Sequence, residues 1–536
     1  MSTLVYIRTL VQYQRGEEFA MNAQANAKNN KVQHHKIAII GTGFAGLGMA
    51  IQLKKSGERD FILFEREAGV GGTWRVNHYP GCACDVQSHL YSFSFEPNPK
   101  WSRMYAPQAE IKAYLEACAD KYHLMPYIRL NTPIMSARWD DAANLWRLED
   151  TQGNQYTANV LISGMGGLST PAFPKINGLE SFKGKVFHSQ QWDHDYDLTG
   201  KRVAVIGTGA SAIQFVPQIQ PKVARLDLYQ RTPPWILPKP DRPITAAEQT
   251  LFKLVPAAQQ AMRAAIYTTL EARVAGFTIN PRLMVIAKRW ALNHIRTQIQ
   301  DPELRRKVTP DYTIGCKRIL LSNDYYPALD QPNVDVITTG IQEVRAHSVV
   351  TADGQERQVD AIILGTGFAA TDPVPPNLVF GRNGVDLAEL WKSGPEAYKG
   401  TTVAGFPNLF FIVGPNTGLG HSSMVYMIES QITYILDALQ QMEKRRVQVI
   451  EVKSEVQADF NRKIHRQLNG SVWNTGGCMS WYRHPVSGKN TSLWPSYTWR
   501  FRQITKNFDA PAYHLISRSP QPAPEEHPLS EPLTNI

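Results

Sequence analysis

Two glycine-rich turns hold the residues whose types and spacing most directly specify chemistry. Gly41, Gly43 and Gly46 form G-x-G-x-x-G, with Phe44 in the fourth place, directly after the apolar run Lys36–Ile40. In such a turn the first glycine makes the bend, the second lets backbone approach a pyrophosphate, and the third lets a helix pack on the strand. The helix N-terminus then offers unpaired N–H groups to the phosphates. Glu65 ends the next apolar run, 24 residues after Gly41, where a carboxylate can accept hydrogen bonds from ribose hydroxyls. The second turn, GTGASA, supplies Gly207, Thr208, Gly209 and Ser211, with Ala212 replacing the third glycine. At the same 24-residue distance from Gly207 stands Arg231. A glutamate repels a 2′-phosphate, whereas an arginine pairs with it bidentately. The first turn is therefore expected to hold a dinucleotide with free ribose hydroxyls and the second NADP(H). That pairing points to electron flow from NADPH to a flavin, with FAD at the first turn.

The elements that must position these turns read as α/β. Each turn follows an apolar strand and opens a helix, and a third partial copy, VDAIILGTGF, occupies 359–368. Three strand-then-GTG units predict two Rossmann-like dinucleotide-binding folds, the first interrupted by the second. We place an FAD-binding domain over about 36–200 and 360–515, and an NADPH-binding domain over about 201–359. The stretch of about 242–312 is rich in Ala, Gln, Leu and Arg and is expected to be a helical insertion. GPNTGLGHSS (414–423), which contains Asn416, precedes an apolar stretch of helical character. A helix N-terminus there would stabilise negative charge on a reduced flavin ring. A polar leader (1–35, with Met21 a possible start) and a Pro- and Glu-rich tail (516–536) are expected to be flexible and disordered, respectively.

Composition narrows the class. At 536 residues, 43% apolar and 19% charged, the chain can bury large cores, and global disorder is excluded. No run of about 18 apolar residues predicts a membrane span, and the start lacks the pattern of a secretory signal. Five cysteines without C-x-x-C spacing argue against a disulfide framework, a dithiol centre or a zinc ribbon, and a reduced, cytoplasmic protein without metal is the expectation. The net charge of +10 is scattered, which suits anionic nucleotide ligands better than nucleic acid. A monomer or weak homo-oligomer is expected.

Between the two turns, FKGKVFHSQQWD places Phe182, Gly184, His188, Trp192 and Asp193 in F-x-G-x-x-x-H-x-x-x-W-[P/D]. This resembles the fingerprint of type I Baeyer–Villiger monooxygenases. GGTWRVNHYPGCACD (71–85) is similar to the same family's second pattern, and the resemblance runs from about Lys36 to about Phe501. It implies an NADPH- and O2-dependent flavoprotein that inserts one oxygen beside a ketone carbonyl through a peroxide at flavin C4a. Arg318 resembles the arginine over the flavin, and Asp85 the aspartate that orients it. Lys317 joins Arg231 on the NADPH 2′-phosphate, Trp481 resembles the tryptophan of a mobile loop, and His188 resembles a histidine linking the domains. Gly72, Thr73, Trp74 and Asp85 fall in that second pattern and are expected to bind the cofactor, although Trp74 and Trp192 also read as core aromatics. A permanent cation suits the chemistry because it keeps an anionic nucleophile favoured. After Trp481 the chain departs from the cycloketone-oxidising members, so pocket residues are not transferred. A flavin monooxygenase that hydroxylates N or S atoms is the alternative, disfavoured by Trp192-Asp193 and by Arg318 with Asp85. A disulfide reductase would require a cysteine pair beside the flavin.

Overall fold

The computed structural model describes residues 32–370 and 373–517. The leader and the tail expected from the sequence lie almost wholly outside these residues. The first strand, β1 (Gln33–Ile40), ends in IAII, all buried, and runs into helix α1 (Phe44–Lys55). Nearly every residue of α1 is buried, because it lies between the sheet and a later helix rather than on the surface. Strands β2 (Phe61–Phe64) and β3 (Gln155–Ser163) flank β1, both parallel to it. Their continuous apolar runs are those of strands covered on both faces. An antiparallel hairpin, Ile134–Asp140 with Leu145–Asp150, extends this sheet beyond β3. Among the described residues the sheet has eight strands.

A second sheet follows, with five parallel strands among the described residues. In chain order it takes β4 (Lys185–His188), β5 (Arg202–Ile206), then helix α2 (Ala212–Ile219) and β6 (Arg225–Tyr229). The chain then leaves the sheet for a helical excursion that includes Ala246–Leu254, α3 (Pro256–Ala272) and α4 (Met284–Gln298). Thr245 caps the first of these helices in a capping box with Glu248. The chain returns through Val334–Ile337 and β7 (Ala361–Leu364). β7 lies between β5 and β4, with Leu364 opposite both Ile206 and His188. The strand before the Trp192-Asp193 fingerprint and the third GTG copy thus both belong to the second sheet. A strand-then-glycine pattern does not say which sheet a strand joins. The last strand of the first sheet, β8 (Leu409–Phe411), pairs with β3 and leads to helix α5 (Met424–Lys444), which covers α1. No helix of the described residues is long and apolar enough to cross a membrane.

Candidate active site

At the first turn Gly41 has φ +97°, and a Cβ there would meet the Gly164 carbonyl oxygen at 2.7 Å. A side chain at Gly46 would run into the Gly41 carbonyl, so the helix approaches the strand only with glycine in that place. Gly43 faces Gly72, whose Cα lies 3.6 Å from where a Gly43 Cβ would stand. Beside them, Thr42 donates to Glu65 Oε2 from its N–H (3.0 Å) and its hydroxyl (2.5 Å), and Glu67 N–H donates to Oε1 (3.0 Å). The buried Glu65 carboxylate has about four acceptor positions, so one remains for a ribose hydroxyl. Phe44 is buried edge-on against Tyr91 and Phe93 and takes a packing role. Trp74 is buried too, its indole N–H donating to Tyr91 Oη (3.2 Å), and Thr73 begins the short helix that carries it.

At the second turn Gly207 has φ +108°, and a side chain there would strike the Gly365 carbonyl of the third GTG. A Cβ at Gly209 would meet nothing within 4 Å, so this backbone faces open space. Ser211 directly precedes α2, and Thr208 donates to the Thr232 carbonyl (3.2 Å). Arg231 and Lys317 stand close enough that Arg231 helps hold Lys317 below the ordinary lysine range, after burial as the larger cause and against Asp311. Two neighbouring cations are relieved by a shared anion. The open backbone at Gly209 and this cation pair fit a pyrophosphate and a 2′-phosphate, and the glycine-walled cleft beside Glu65 fits a flavin dinucleotide.

Arg318 meets Asp85, which lies on a segment in contact with the helix behind the second turn. The segment bearing Asp85 leaves the Gly71–Gly72 corner and lies against α2, where Tyr79 Oη donates to Gln214 Oε1 (2.9 Å) and Gln214 Nε2 donates to the Ala83 carbonyl (3.0 Å). Arg318 precedes Leu320–Leu321, a two-residue strand paired with Ile236–Leu237, just beyond Arg231. Its Nε lies 2.7 Å from Asp85 Oδ2, its Nη2 lies at the same distance, and its Nη1 donates to the Leu419 carbonyl (3.2 Å). Asp85 raises Arg318 further above its ordinary range, outweighing burial. The side chains remain 29% and 30% exposed, so the pair lines a cleft instead of being sealed in a core. Tyr482 is buried beside it; burial pushes its phenol up to about 12, with the Arg318 cation opposing.

The remaining predicted residues occupy supporting places. Asn416 is buried and uses its amide to hold the carbonyls of Asn490 (2.9 Å) and Leu493 (3.1 Å), which ties the 414–423 loop to the segment after Trp481. Trp481 is 47% exposed, with its ring against Tyr482. His188 is fully buried at the end of β4, where it accepts from Gln190 N–H (3.1 Å), and burial lowers it to about 4, so it is neutral. Trp192 packs on Phe187 and Phe215, Phe182 is buried, Asp193 pairs with Lys185 (2.5 Å), and a side chain at Gly184 would strike the Asp360 carbonyl. The fingerprint therefore lies at the junction of β4 and β7.

Two features escape a reading of residue types. The Leu419 carbonyl is backbone, and Tyr482 carries no mark beyond standing next to Trp481. The cysteines also differ from expectation. Cys82, Cys84 and Cys118 are free and buried, but Cys316 and Cys478 form a disulfide across 162 positions. It joins the residue before Lys317-Arg318 to the segment that carries Trp481.

A two-dinucleotide fold with a paired guanidinium defines an NADPH-linked flavoprotein. Residues 34–375 match the family described as flavin-binding monooxygenase-like. A Baeyer-Villiger monooxygenase from Pseudomonas aeruginosa is 65% identical over 485 residues, 90% of this chain and 92% of that protein. Another, from Streptomyces coelicolor, is 48% identical over 496 residues, 92% of this chain and 95% of that one. Among solved structures, oxidized steroid monooxygenase bound to NADP has a TM-score of 0.80 at 28% identity, over 91% of this chain and 100% of that one. Cyclohexanone monooxygenase from Rhodococcus sp. Phi1 bound to NADP+ has a TM-score of 0.82 at the same 28%, over 91% and 100% of the two chains. The chain belongs to the flavin-binding monooxygenase-like family and, within it, to the type I Baeyer–Villiger monooxygenases. It is an FAD-dependent enzyme that uses NADPH and O2 to insert oxygen, and this reading prevails over the N- or S-hydroxylating alternative.

Proposed function

We propose that this enzyme converts a small ketone into an ester or lactone, with Arg318 and Asp85 as the catalytic pair. The FAD-binding part is assigned to the first sheet with α1 and α5, and the NADPH-binding part to the second sheet; β4 and β7, which lie inside the 36–200 and 360–515 expected for FAD, go with the NADPH-binding part because both pair within that second sheet. On this reading Gly41, Gly43, Glu65 and Gly72 hold FAD, while Gly207, Gly209, Arg231 and Lys317 hold NADPH. Bound FAD, reduced by NADPH, supplies the activation of dioxygen.

The chain's own residues then govern charge and access. Arg318 has five N–H groups; three are directed at Asp85 and Leu419 and a further one is engaged by Tyr482, which leaves one for an oxygen anion. It stabilises the negative charge that builds on the carbonyl oxygen when the carbonyl carbon is attacked. Asp85 fixes the plane of the guanidinium and offsets part of its desolvation. No proton is lost from Arg318, so its charge persists across the working pH range. Trp481 and Tyr482, held near Arg318 by the segment that begins at Cys478, exclude water from the site. The observation that carries this reading is the Arg318–Asp85 pair, with Asp85 on a segment that runs from Gly72, beside Gly43 of the first turn, to Gln214 of the helix behind the second turn.

The test is a panel of linear, cyclic and aryl ketones with purified enzyme, NADPH and 18O2, read by product mass. Products are expected to gain one 18O as an ester or lactone, and Arg318→Ala should abolish that gain while FAD remains bound. Ester formation that survives in Arg318→Ala removes the assignment.

A further inference from the structure

The helical excursion has one face that the catalytic reading leaves unused. Six large apolar residues are exposed within 14 positions: Ile279, Leu283, Val285, Ile286, Trp290 and Leu292. Ile279 and Trp290 are the most open, at 64% and 65%. Single exposed apolar residues need no explanation, but a contiguous set does. At helical spacing, Ile286 and Trp290, with Leu283 in the turn just before, form one stripe along α4, while Val285 and Leu292 form another, with Arg289 and Arg296 between them. The opposite side of α4 is occupied: Met284, Ala291, His294 and Ile295 are buried. Phe277, in the turn before it, stacks on Trp473 at 5.5 Å. The helix is thus anchored from within and open outward.

Charge tells what could cover it. From Ala272 to Gln300 the chain has five Arg or Lys and no Asp or Glu. Arg282, Lys288 and Arg289 are exposed, and none has a carboxylate partner among the described residues. A second copy meeting this face across a two-fold axis would set cations on cations with no acid to offset them. A nucleic acid would use the cations but leave the isoleucines and leucines in water. A bilayer surface with anionic headgroups satisfies both sets at once, because apolar side chains enter the acyl boundary while Lys and Arg meet phosphates. At 15 residues α4 is too short to span, so it would lie in the plane of the surface.

We propose that the outward face of α4, with the turn from Ile279, is a docking surface for a bilayer bearing anionic headgroups. It packs through Met284 and Phe277 onto the same core that holds Cys316 and Tyr482, so the docked face is one helix layer from the candidate active site.

The experiment is co-sedimentation of the FAD-loaded enzyme with vesicles of equal phosphatidylglycerol and phosphatidylcholine, and with phosphatidylcholine alone. Binding to the anionic vesicles is expected to be at least about tenfold tighter and to weaken with salt. Ile286→Glu/Trp290→Glu should lose it, and Lys288→Glu/Arg289→Glu should weaken it by about tenfold or more. Both variants should keep their FAD content and their NADPH oxidation without vesicles. The proposal is overturned if the wild type stays in the supernatant at low salt, or if both variants sediment as the wild type does. It is also overturned if the wild type self-associates in sedimentation velocity and Ile286→Glu/Trp290→Glu restores a monomer without any change in vesicle binding.

Discussion

Arg318 is asked to be both a charge and a shape, and the two can be separated. Lysine in its place keeps the cation but presents three donors on a flexible stem, so it cannot hold Asp85 and the Leu419 carbonyl while also facing substrate. Arg318→Lys is expected to bind FAD normally and to lose about 10²-fold in kcat, the scale set by loss of one preorganised oxyanion donor. Equal kcat in the two proteins would mean that geometry at this position is unimportant. Lys317 and Arg231 concern binding instead. Each charge-assisted contact to a phosphate is worth about 1.5–3 kcal/mol. Arg231→Ala should therefore raise KM for NADPH by about 10- to 100-fold, leave kcat at saturation nearly unchanged, and barely alter KM for NADH. Steady-state kinetics with both nucleotides checks this; equal weakening of NADH would remove the 2′-phosphate role.

At the scale of elements, the segment that carries Trp481 and Tyr482 is held to the Arg318 segment by Cys316–Cys478 and by a hydrogen bond from Thr313 N–H to the Gly476 carbonyl (2.9 Å). Cutting the disulfide leaves one backbone contact at that end, while Asn416 still holds Asn490 and Leu493 at the other. Cys478→Ser is expected to speed limited proteolysis between 476 and 490 and to raise the share of NADPH consumption that ends as hydrogen peroxide, because water reaches the site more often. A peroxide assay beside product yield reads the second effect, and unchanged coupling would show that the tether does not control closure. The two glycine turns, Glu65 and Arg231 are legible in the sequence because local spacing encodes a strand, a bend and a helix. The tether is not, because a pairing across 162 positions has no local signal. For the same reason the third GTG copy predicts β7 as a strand without revealing its partner β4, which lies in the fingerprint segment and carries no strand signal of its own in the sequence reading. Asn416 is legible as a loop residue, but its partners come from a segment more than 70 positions away.

Across the whole molecule, two well-separated packing seams hold neutral histidines. His188 closes the seam where β4 meets β7, and His89 lies against the helical excursion, 3.2 Å from Gln259 Nε2 and edge-on to Phe252. Burial lowers each to about 4; for His89, Glu248 opposes the shift while Arg263 and Arg242 add to it. An unfolded histidine titrates near 6.5, so between about 6.5 and 4 the unfolded chain binds protons that the folded chain refuses. Stability is therefore undiminished above pH 6.5 and falls as pH drops through that window. The loss for His188 approaches about 3 kcal/mol near pH 4, because each tenfold drop in proton affinity on folding is worth about 1.4 kcal/mol. His188→Gln keeps an acceptor for Gln190 N–H and removes the titration. Its unfolding midpoint should lie near or below the wild-type value at pH 8 and fall less steeply between pH 6.5 and 4.5, with His89→Gln behaving likewise. Parallel curves for wild type and both variants in thermal melts would show that acid opens the molecule elsewhere than at these two seams.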